Sequence, residues 1–296
     1  MKIACLKEFN QKKASYFFHI ATPNLTNQFR SFFEEKLLNS STLVPEVVLT
    51  TFSFGKKSER LSPQAEEKIA ILMSIMDTAI NIYDDALDGD FIFSEPTTRV
   101  MMSVDSVLFS ALDALSSIQN YQDVAFIIKC LQKCIHAEVA DINMAIHSGL
   151  TEDDYFTHIV EKSTNIFKMQ MCGYPSTREI FCSIAEKIAV ALQVKNDIKN
   201  LSGEIKSDII EKKVTLPLLK AMEYAQDHTF DFHGELEKCS SGGDMSNFLQ
   251  FLVDSKCLDY SSYVSEYYYN FAIKEISEKL SNYGEEKNEL LELFSR

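Results

Sequence analysis

The sequence predicts an all-α fold of one helical domain spanning residues 1–296. Only 9 glycines and 6 prolines punctuate 296 residues, apolar residues recur near a 3.6-residue period, and the period-two alternation of strands is missing. In chain order, an apolar-periodic stretch at 12–38 closes ahead of Pro45. The polar run from Ser53 to Pro63 separates it from 63–88, which carries Ile69, Leu72, Met73, Met76, Ile80 and Tyr83 on one face. Gly89 to Pro96 ends that helix, and 97–118 and 122–147 follow before Gly149. Helices at 152–172 and 177–201 flank Gly173 to Pro175, the second showing Ile184, Ile188, Leu192 and Ile198. The series closes with 214–227, 245–254 after the Ser240 to Gly243 break, and 260–294 with an interruption near Gly284. No Pro/Gly/Ser-rich linker divides two compositions, so about ten helices share one core.

Charge narrows the function. Against 43 Asp and Glu stand 29 Lys and Arg, a net charge of −14, with no basic block. Nucleic acid requires clustered cations to displace counterions, so a nucleic-acid surface is excluded. The 7 cysteines are scattered and form no CxxC pair, which indicates a reducing, cytoplasmic setting. Cys130 and Cys134 lie one helical turn apart and read as packing thiols. Residues 1–10 hold no long apolar stretch of a secretory signal. No membrane span is expected, since the most apolar window, Ile69 to Tyr83, is too short and carries Asp77.

Two acidic or oxygen-rich clusters close apolar helices. Asp84, Asp85 and Asp88 fall at the C-terminal end of the 63–88 helix, where the helix dipole is already negative. Three carboxylates there repel the dipole and one another unless a cation neutralises them. Asp84 and Asp88 stand one turn apart with Asp85 about 100° round, a geometry that grips a hard cation from one side. Taken alone, the cluster reads equally as a solvated acidic helix end. The second cluster, Gln193, Asn196, Asp197, Asn200 and Glu204, ends the 177–201 helix and its following turn. Asn196, Asn200 and Glu204 recur every four residues and present oxygens suited to magnesium. Helical bundles build metal sites from such facing side chains.

At these residues the chain resembles the trans-prenyltransferase, or polyprenyl synthetase, family, whose members share the class I isoprenoid synthase fold, a large helical bundle around a central cavity. Asp84-Asp85-Ala86-Leu87-Asp88 matches the family's DDxxD motif in full. Gln193 to Asn200 resembles its QxxDDxxD motif, with Asn at the first and last aspartates. Ser207-Asp208-Ile209 and Lys213-Val214-Thr215-Leu216-Pro217 are similar to the SD and K.TLP stretches that follow. Lys162-Ser163-Thr164 resembles the family's KT pair, and Glu138 with Asp141 stands where GQxxD is usual. The resemblance implies magnesium-dependent ionisation of an allylic isoprenyl diphosphate, with three metal ions held by Asp84, Asp85, Asp88, Asn196, Asn200 and Glu204 or Asp197. It implies diphosphate contacts from Lys162, Gln193 and Lys213, and a homodimer. Ala79, Ile80 and Tyr83, on the turns above Asp84, would line the cavity that shields the cation.

The departures are specific. Elongating members carry GKRxRP, a histidine seven residues before the first aspartate, and two arginines after DDxxD. Here Gly55-Lys56-Lys57-Ser58-Glu59-Arg60 is an approximate GKR, Asp77 holds the histidine position, and Phe93-Ser94 replaces the arginines. A carboxylate at 77 repels the diphosphate of isopentenyl diphosphate, leaving Lys56, Lys57, Arg60 and Arg99 as its candidate partners. Asn196 to Glu204 also resembles the NDxxSxxxE motif of class I terpene cyclases, with Asn200 for Ser. Three readings stay open: prenyl transfer to an acceptor, terpene cyclisation, and a non-catalytic partner subunit.

Overall fold

The computed structural model describes residues 6–21, 25–41, 43–87, 95–147, 149–202 and 207–295. Helices form every regular element among them: α1 Leu6–Ile20, α2 Asn27–Asn39, α3 Leu43–Ser53, α4 Pro63–Leu87, α5 Thr97–Ser116 and α6 Tyr121–Asn143. A short α7, Glu152–Asp154, runs into a π-helical turn, Tyr155–Ile159, and then α8, Val160–Gln170. The remainder is α9 Arg178–Ser202, α10 Ser207–Ile210, α11 Leu216–Gln226, α12 Phe232–Ser240, α13 Ser246–Asp254, α14 Cys257–Lys279 and α15 Glu285–Phe294. The all-α expectation holds, and no helix of the described residues is long and apolar enough to cross a membrane.

Several boundaries differ from the sequence-based reading. The stretch expected at 12–38 is two helices, α1 and α2, and Thr26 caps the second by accepting the Phe29 amide at 3.1 Å. Pro45 does not break the chain. It is the third residue of α3, where its missing N–H has no intrahelical partner to lose. Helix α12 was not foreseen. Asp231 starts it by accepting the Gly234 amide at 3.0 Å. Lys256 takes a left-handed φ of 55° and starts α14 at Cys257, earlier than expected.

The described residues group into two compact units. The first comprises 1–128, 170–181 and 281–296, the second 129–169 and 182–280. In the first, α4 is the central element: Ile69 to Met76, Ala79, Ile82 and Ala86 are buried, and α3, α5, α1 and α2 pack around it. Phe17 stacks on Phe33 at 4.5 Å between ring centroids, and Phe54 meets Phe181 and Tyr283 edge-on. Each fully buried side chain of this size contributes roughly 1.5–3 kcal/mol. The second unit packs α11 on α14, with α10, α12 and α13 alongside. Tyr155, Val194, Leu201, Ile209, Leu216, Leu218 and Phe248 sit at its centre.

Candidate active site

The first motif stands at the end of α4. Ile69 to Met76 of this helix are buried all round, and polar residues return toward its end at Asp77, Thr78, Asn81, Asp84 and Asp85. Asp84 and Asp85 are partly buried, and Lys36 of α2 lies 3.5 Å from Asp85 Oδ2. Asp88 lies outside the described residues. One turn above, Ala79 is buried while Ile80 and Tyr83 are partly buried.

Asp77, two turns before Asp84, is held from two sides. Its Oδ1 accepts from Gln170 Nε2 at 2.8 Å and its Oδ2 from Asn81 Nδ2 at 3.3 Å. Burial pushes its carboxyl up to about 6, against the opposing pull of the Gln170 bond and the Lys13 charge. Burial likewise lowers the Lys13 ammonium to about 8, with Asp77 acting in the other direction.

The Gly55 to Arg60 segment is a turn fixed by its own backbone. Arg60 donates from Nη2 to the Ser53 carbonyl at 2.8 Å and from Nε to the Gly55 carbonyl at 3.3 Å. Position 55 has to be glycine because a Cβ there would lie 2.0 Å from the ring of Tyr174. That ring is anchored in turn by Leu61 N–H donating to its hydroxyl at 2.7 Å and by the hydroxyl donating to Glu66 at 2.6 Å. Arg60 therefore closes the turn, while Lys56 and Lys57 are exposed.

The second motif lies on α9 and splits by face. Asn196 is exposed and Asn200 half-buried, whereas Asp197 is only 3% exposed. Asp197, expected among the metal ligands, is instead directed into the core. Its Oδ2 accepts from the Tyr155 hydroxyl at 2.7 Å and the Leu216 amide at 3.2 Å, and its Oδ1 from Gln193 Nε2 at 2.9 Å. The physical reason is helical phase: one residue beyond Asn196 the side chain points about 100° away, onto α11 and the π turn. Gln193, expected on the substrate, bridges inward, accepting from Ser163 Oγ at 2.6 Å. Burial pushes Asp197 up to about 7, although all three hydrogen bonds favour its ionised form. Glu204 lies outside the described residues.

The lysines are paired. Lys162 Nζ lies 2.7 Å from Glu138 Oε2, and Lys213 Nζ 3.1 Å from Glu211 Oε2. Lys213 follows Lys212, whose left-handed φ of 56° turns the chain so that the Lys213 amide donates to the Asp208 carbonyl at 3.0 Å. Thr215 then caps α11, with Pro217 in the first turn. Asp208, 2% exposed, accepts from Asn200 Nδ2 at 3.3 Å, tying the SD stretch to the second motif.

Tyr155, Ser163, Gln170 and Asp208 were not singled out as site residues by sequence reasoning. Asp208 carried a signal in the SD stretch and Ser163 in the stretch resembling the KT pair; Tyr155 and Gln170 are placed by tertiary packing. Among the described residues no three His, Cys, Asp or Glu side chains gather as a metal site. The donors that are described, the Asp84 and Asp85 carboxylates and the Asn196 and Asn200 amides, are all oxygen-bearing. That is the chemistry magnesium requires.

No protein-family model matches the chain. An all-trans-nonaprenyl-diphosphate synthase of Rhodobacter capsulatus is 23% identical over 66% of this chain and 66% of its own length. An all trans-polyprenyl-diphosphate synthase of Mus musculus is 20% identical over 87% of this chain and 68% of that protein. The matches thus span about two thirds of these curated relatives. Among solved structures, a geranylgeranyl pyrophosphate synthase from Lactobacillus brevis superposes with a TM-score of 0.84 at 17% identity, covering 98% of this chain and 95% of that one. A heptaprenyl diphosphate synthase from Staphylococcus aureus gives 0.75 at 17%, covering 99% and 98%. The chain thus has the helical class I isoprenoid synthase fold of these solved structures and is similar in sequence to all-trans-polyprenyl-diphosphate synthases.

Proposed function

We propose that the chain ionises an allylic isoprenyl diphosphate and transfers the prenyl group to an acceptor, with magnesium as cofactor. The observation that carries this reading is the intact carboxylate pair Asp84 and Asp85 closing a buried helix, in a fold shared with polyprenyl diphosphate synthases. A helix end of that charge is costly without a cation.

Asp84, Asp85 and Asp88 would hold magnesium on one motif, and Asn196, Asn200 and Glu204 on the other, with three ions expected. Bound magnesium supplies positive charge that stabilises the leaving diphosphate. Lys162 and Lys213 add ammonium donors for diphosphate oxygens, and Lys162 would exchange its pairing with Glu138 for that contact. Lys56 and Lys57, exposed on their turn, and Arg99, exposed in the first turn of α5, are the candidate cations left for a second anionic substrate, since Arg60 is occupied by backbone carbonyls. Ala79, Ile80 and Tyr83 offer apolar surface above Asp84 that would keep water from the allylic cation.

Assembly belongs to the same reading. On α6, Ile135, Val139 and Ile142 are 52%, 53% and 55% exposed, and their spacing keeps them on one side of the helix. A second copy would cover this stripe, giving a homodimer; light scattering should show a dimer, and Ile135→Lys a monomer. The acidic net charge of −14 supports a cytoplasmic protein.

The functional test incubates the protein with magnesium and geranyl, farnesyl or geranylgeranyl diphosphate, with and without isopentenyl diphosphate, and follows diphosphate release and products by mass spectrometry. Magnesium-dependent release of diphosphate is expected. A cyclic hydrocarbon formed without an acceptor would assign a cyclase, and silence in every tube would assign a partner subunit.

A further inference from the structure

A cavity of about 420 Å³ opens between α2 and α4 in the first unit, within the range of small-molecule sites, roughly 300–1,000 Å³. Asp77, Asn81 and Asp85, four residues apart along α4, form one polar wall. Asn39 and Ser40 at the end of α2 face them, and Phe32, Thr78 and Ile82 supply apolar surface. Asp85 of the first motif therefore borders this space directly.

The charges around the cavity decide what it can hold. Glu35, Asp77 and Asp85 line it with carboxylates, and Lys36 is the lining ammonium. Lys36 sits 3.5 Å from Asp85. Behind the wall, buried Lys13 donates to Ser40 Oγ at 2.5 Å and acts on Asp77 by its charge. Asp85 belongs to the proposed magnesium motif, which leaves Glu35 and Asp77 as the remaining carboxylates, and both ammoniums are already engaged, so among the described residues the cavity offers a phosphate-bearing ligand no uncommitted cation. Hydrogen-bonding amides and hydroxyls beside an aromatic ring suit a small uncharged or cationic molecule instead.

We propose that this cavity is the acceptor site and takes a protic nucleophile without phosphate, an alcohol, phenol or amine, whose proton passes to Asp77. The inference rests on the prenyl transfer proposed above. As the allylic C–O bond breaks, both electrons leave on the diphosphate. The nucleophile's lone pair forms the new C–O or C–N bond, and its O–H or N–H proton goes to the Asp77 carboxylate. No oxidant or reductant is needed. Gln170 and Asn81 fix the Asp77 oxygens by donating to them at 2.8 and 3.3 Å. Burial, which lifts Asp77 to about 6, brings it near the range in which a carboxylate serves as a base at neutral pH.

The test uses wild-type protein, Asp77→Asn and Asp77→Glu with magnesium, farnesyl diphosphate, and either tyramine, 2-phenylethanol or isopentenyl diphosphate as acceptor. Diphosphate release and products are measured separately from pH 5 to 8. Prenylated tyramine or 2-phenylethanol is expected, with a wild-type rate that rises through pH 6. Asp77→Asn should lose at least tenfold in kcat with an unchanged KM for farnesyl diphosphate and a flat pH profile, and Asp77→Glu should recover part of the rate. Release into farnesol or an isopentenyl adduct alone, or an undiminished Asp77→Asn, overturns the acceptor assignment while prenyl-diphosphate ionisation stands. Absence of release in every tube overturns the prenyl-transfer reading and this inference together.

Discussion

The hydroxyl of Tyr155 donates to Asp197 Oδ2 at 2.7 Å, inside a core where Tyr155 is 0% and Asp197 3% exposed. Leu216 N–H reaches the same oxygen, so one carboxylate joins the π-helical turn, α9 and the start of α11. Removing one partner of a buried hydrogen bond to a charged group costs about 1–3 kcal/mol. Tyr155→Phe should lower unfolding stability by that amount in urea titrations, with helix content unchanged in the far ultraviolet. A midpoint equal to the wild type would show that the bond contributes nothing net.

The same carboxylate carries a pH signature. Burial raises Asp197 in the folded state to about 7, from 3.8 when exposed. Between those values the folded protein binds the proton and the unfolded chain does not, so this group's contribution to stability falls as pH rises from about 4 to about 7. Asp197→Asn removes that dependence. The difference between wild-type and variant unfolding free energies should therefore shift against the wild type across this window. A difference that stays level from pH 4 to 7 would place the carboxylate's titration in its ordinary range.

Much of this architecture is legible in the sequence because burial writes a period into it. Helix α4 was expected at 63–88 and runs Pro63–Leu87, and α9 was expected at 177–201 and runs Arg178–Ser202. Both are long helices with apolar faces and polar ends. The elements that escaped are those where a local signal misleads. Pro45 looks like a breaker but lies in a first turn, and the π turn at Tyr155 inserts a residue that no apolar spacing reveals. Site residues followed the same rule. Asn196 and Asn200 stand out by their four-residue spacing, but that spacing cannot tell that Asp197, one step round the helix, is locked to Tyr155. Nor does it show Gln170 reaching Asp77 from 93 positions away.

Lys162 and Glu138 test whether the diphosphate lysine is held by its partner. The pair is 2.7 Å apart, with side chains 19% and 10% exposed. Breaking a buried pair by removing one member costs roughly 3–5 kcal/mol, because the other charge is stranded. Partial exposure here should reduce that to about 1–3 kcal/mol. Lys162→Met should lose stability and, separately, at least tenfold in affinity for inorganic diphosphate with magnesium. The double variant Lys162→Met/Glu138→Gln should regain stability but not affinity, which calorimetric titration and thermal unfolding together can separate. Recovery of both would assign Lys162 a purely structural role.

Asp84→Ala removes a proposed metal ligand from a helix end that repels its own charge. Diphosphate release from farnesyl diphosphate should fall by more than about a hundredfold, as expected when charge stabilisation in the transition state is lost. Thermal stability without magnesium should be unchanged or higher, since one repulsion with the helix dipole disappears. Turnover within threefold of the wild type would remove Asp84 from the site.

Asp77→His tests the electrostatic account of the α2–α4 cavity from the opposite side. The substitution replaces a carboxylate with a ring that is neutral or cationic near pH 7, so repulsion toward a diphosphate in the cavity is relieved. An imidazole nitrogen can still accept the Gln170 amide that now donates to Asp77 at 2.8 Å, which favours retention of the local packing. Condensation with isopentenyl diphosphate should rise by roughly tenfold in kcat/KM, on the order of 1.4 kcal/mol in transition-state stabilisation. Prenylation of tyramine or 2-phenylethanol should fall at the same time, because the carboxylate is gone and the imidazole's one acceptor nitrogen is occupied by the Gln170 amide. If a well-folded Asp77→His gained nothing with isopentenyl diphosphate, repulsion by Asp77 would not be what excludes a phosphate-bearing acceptor.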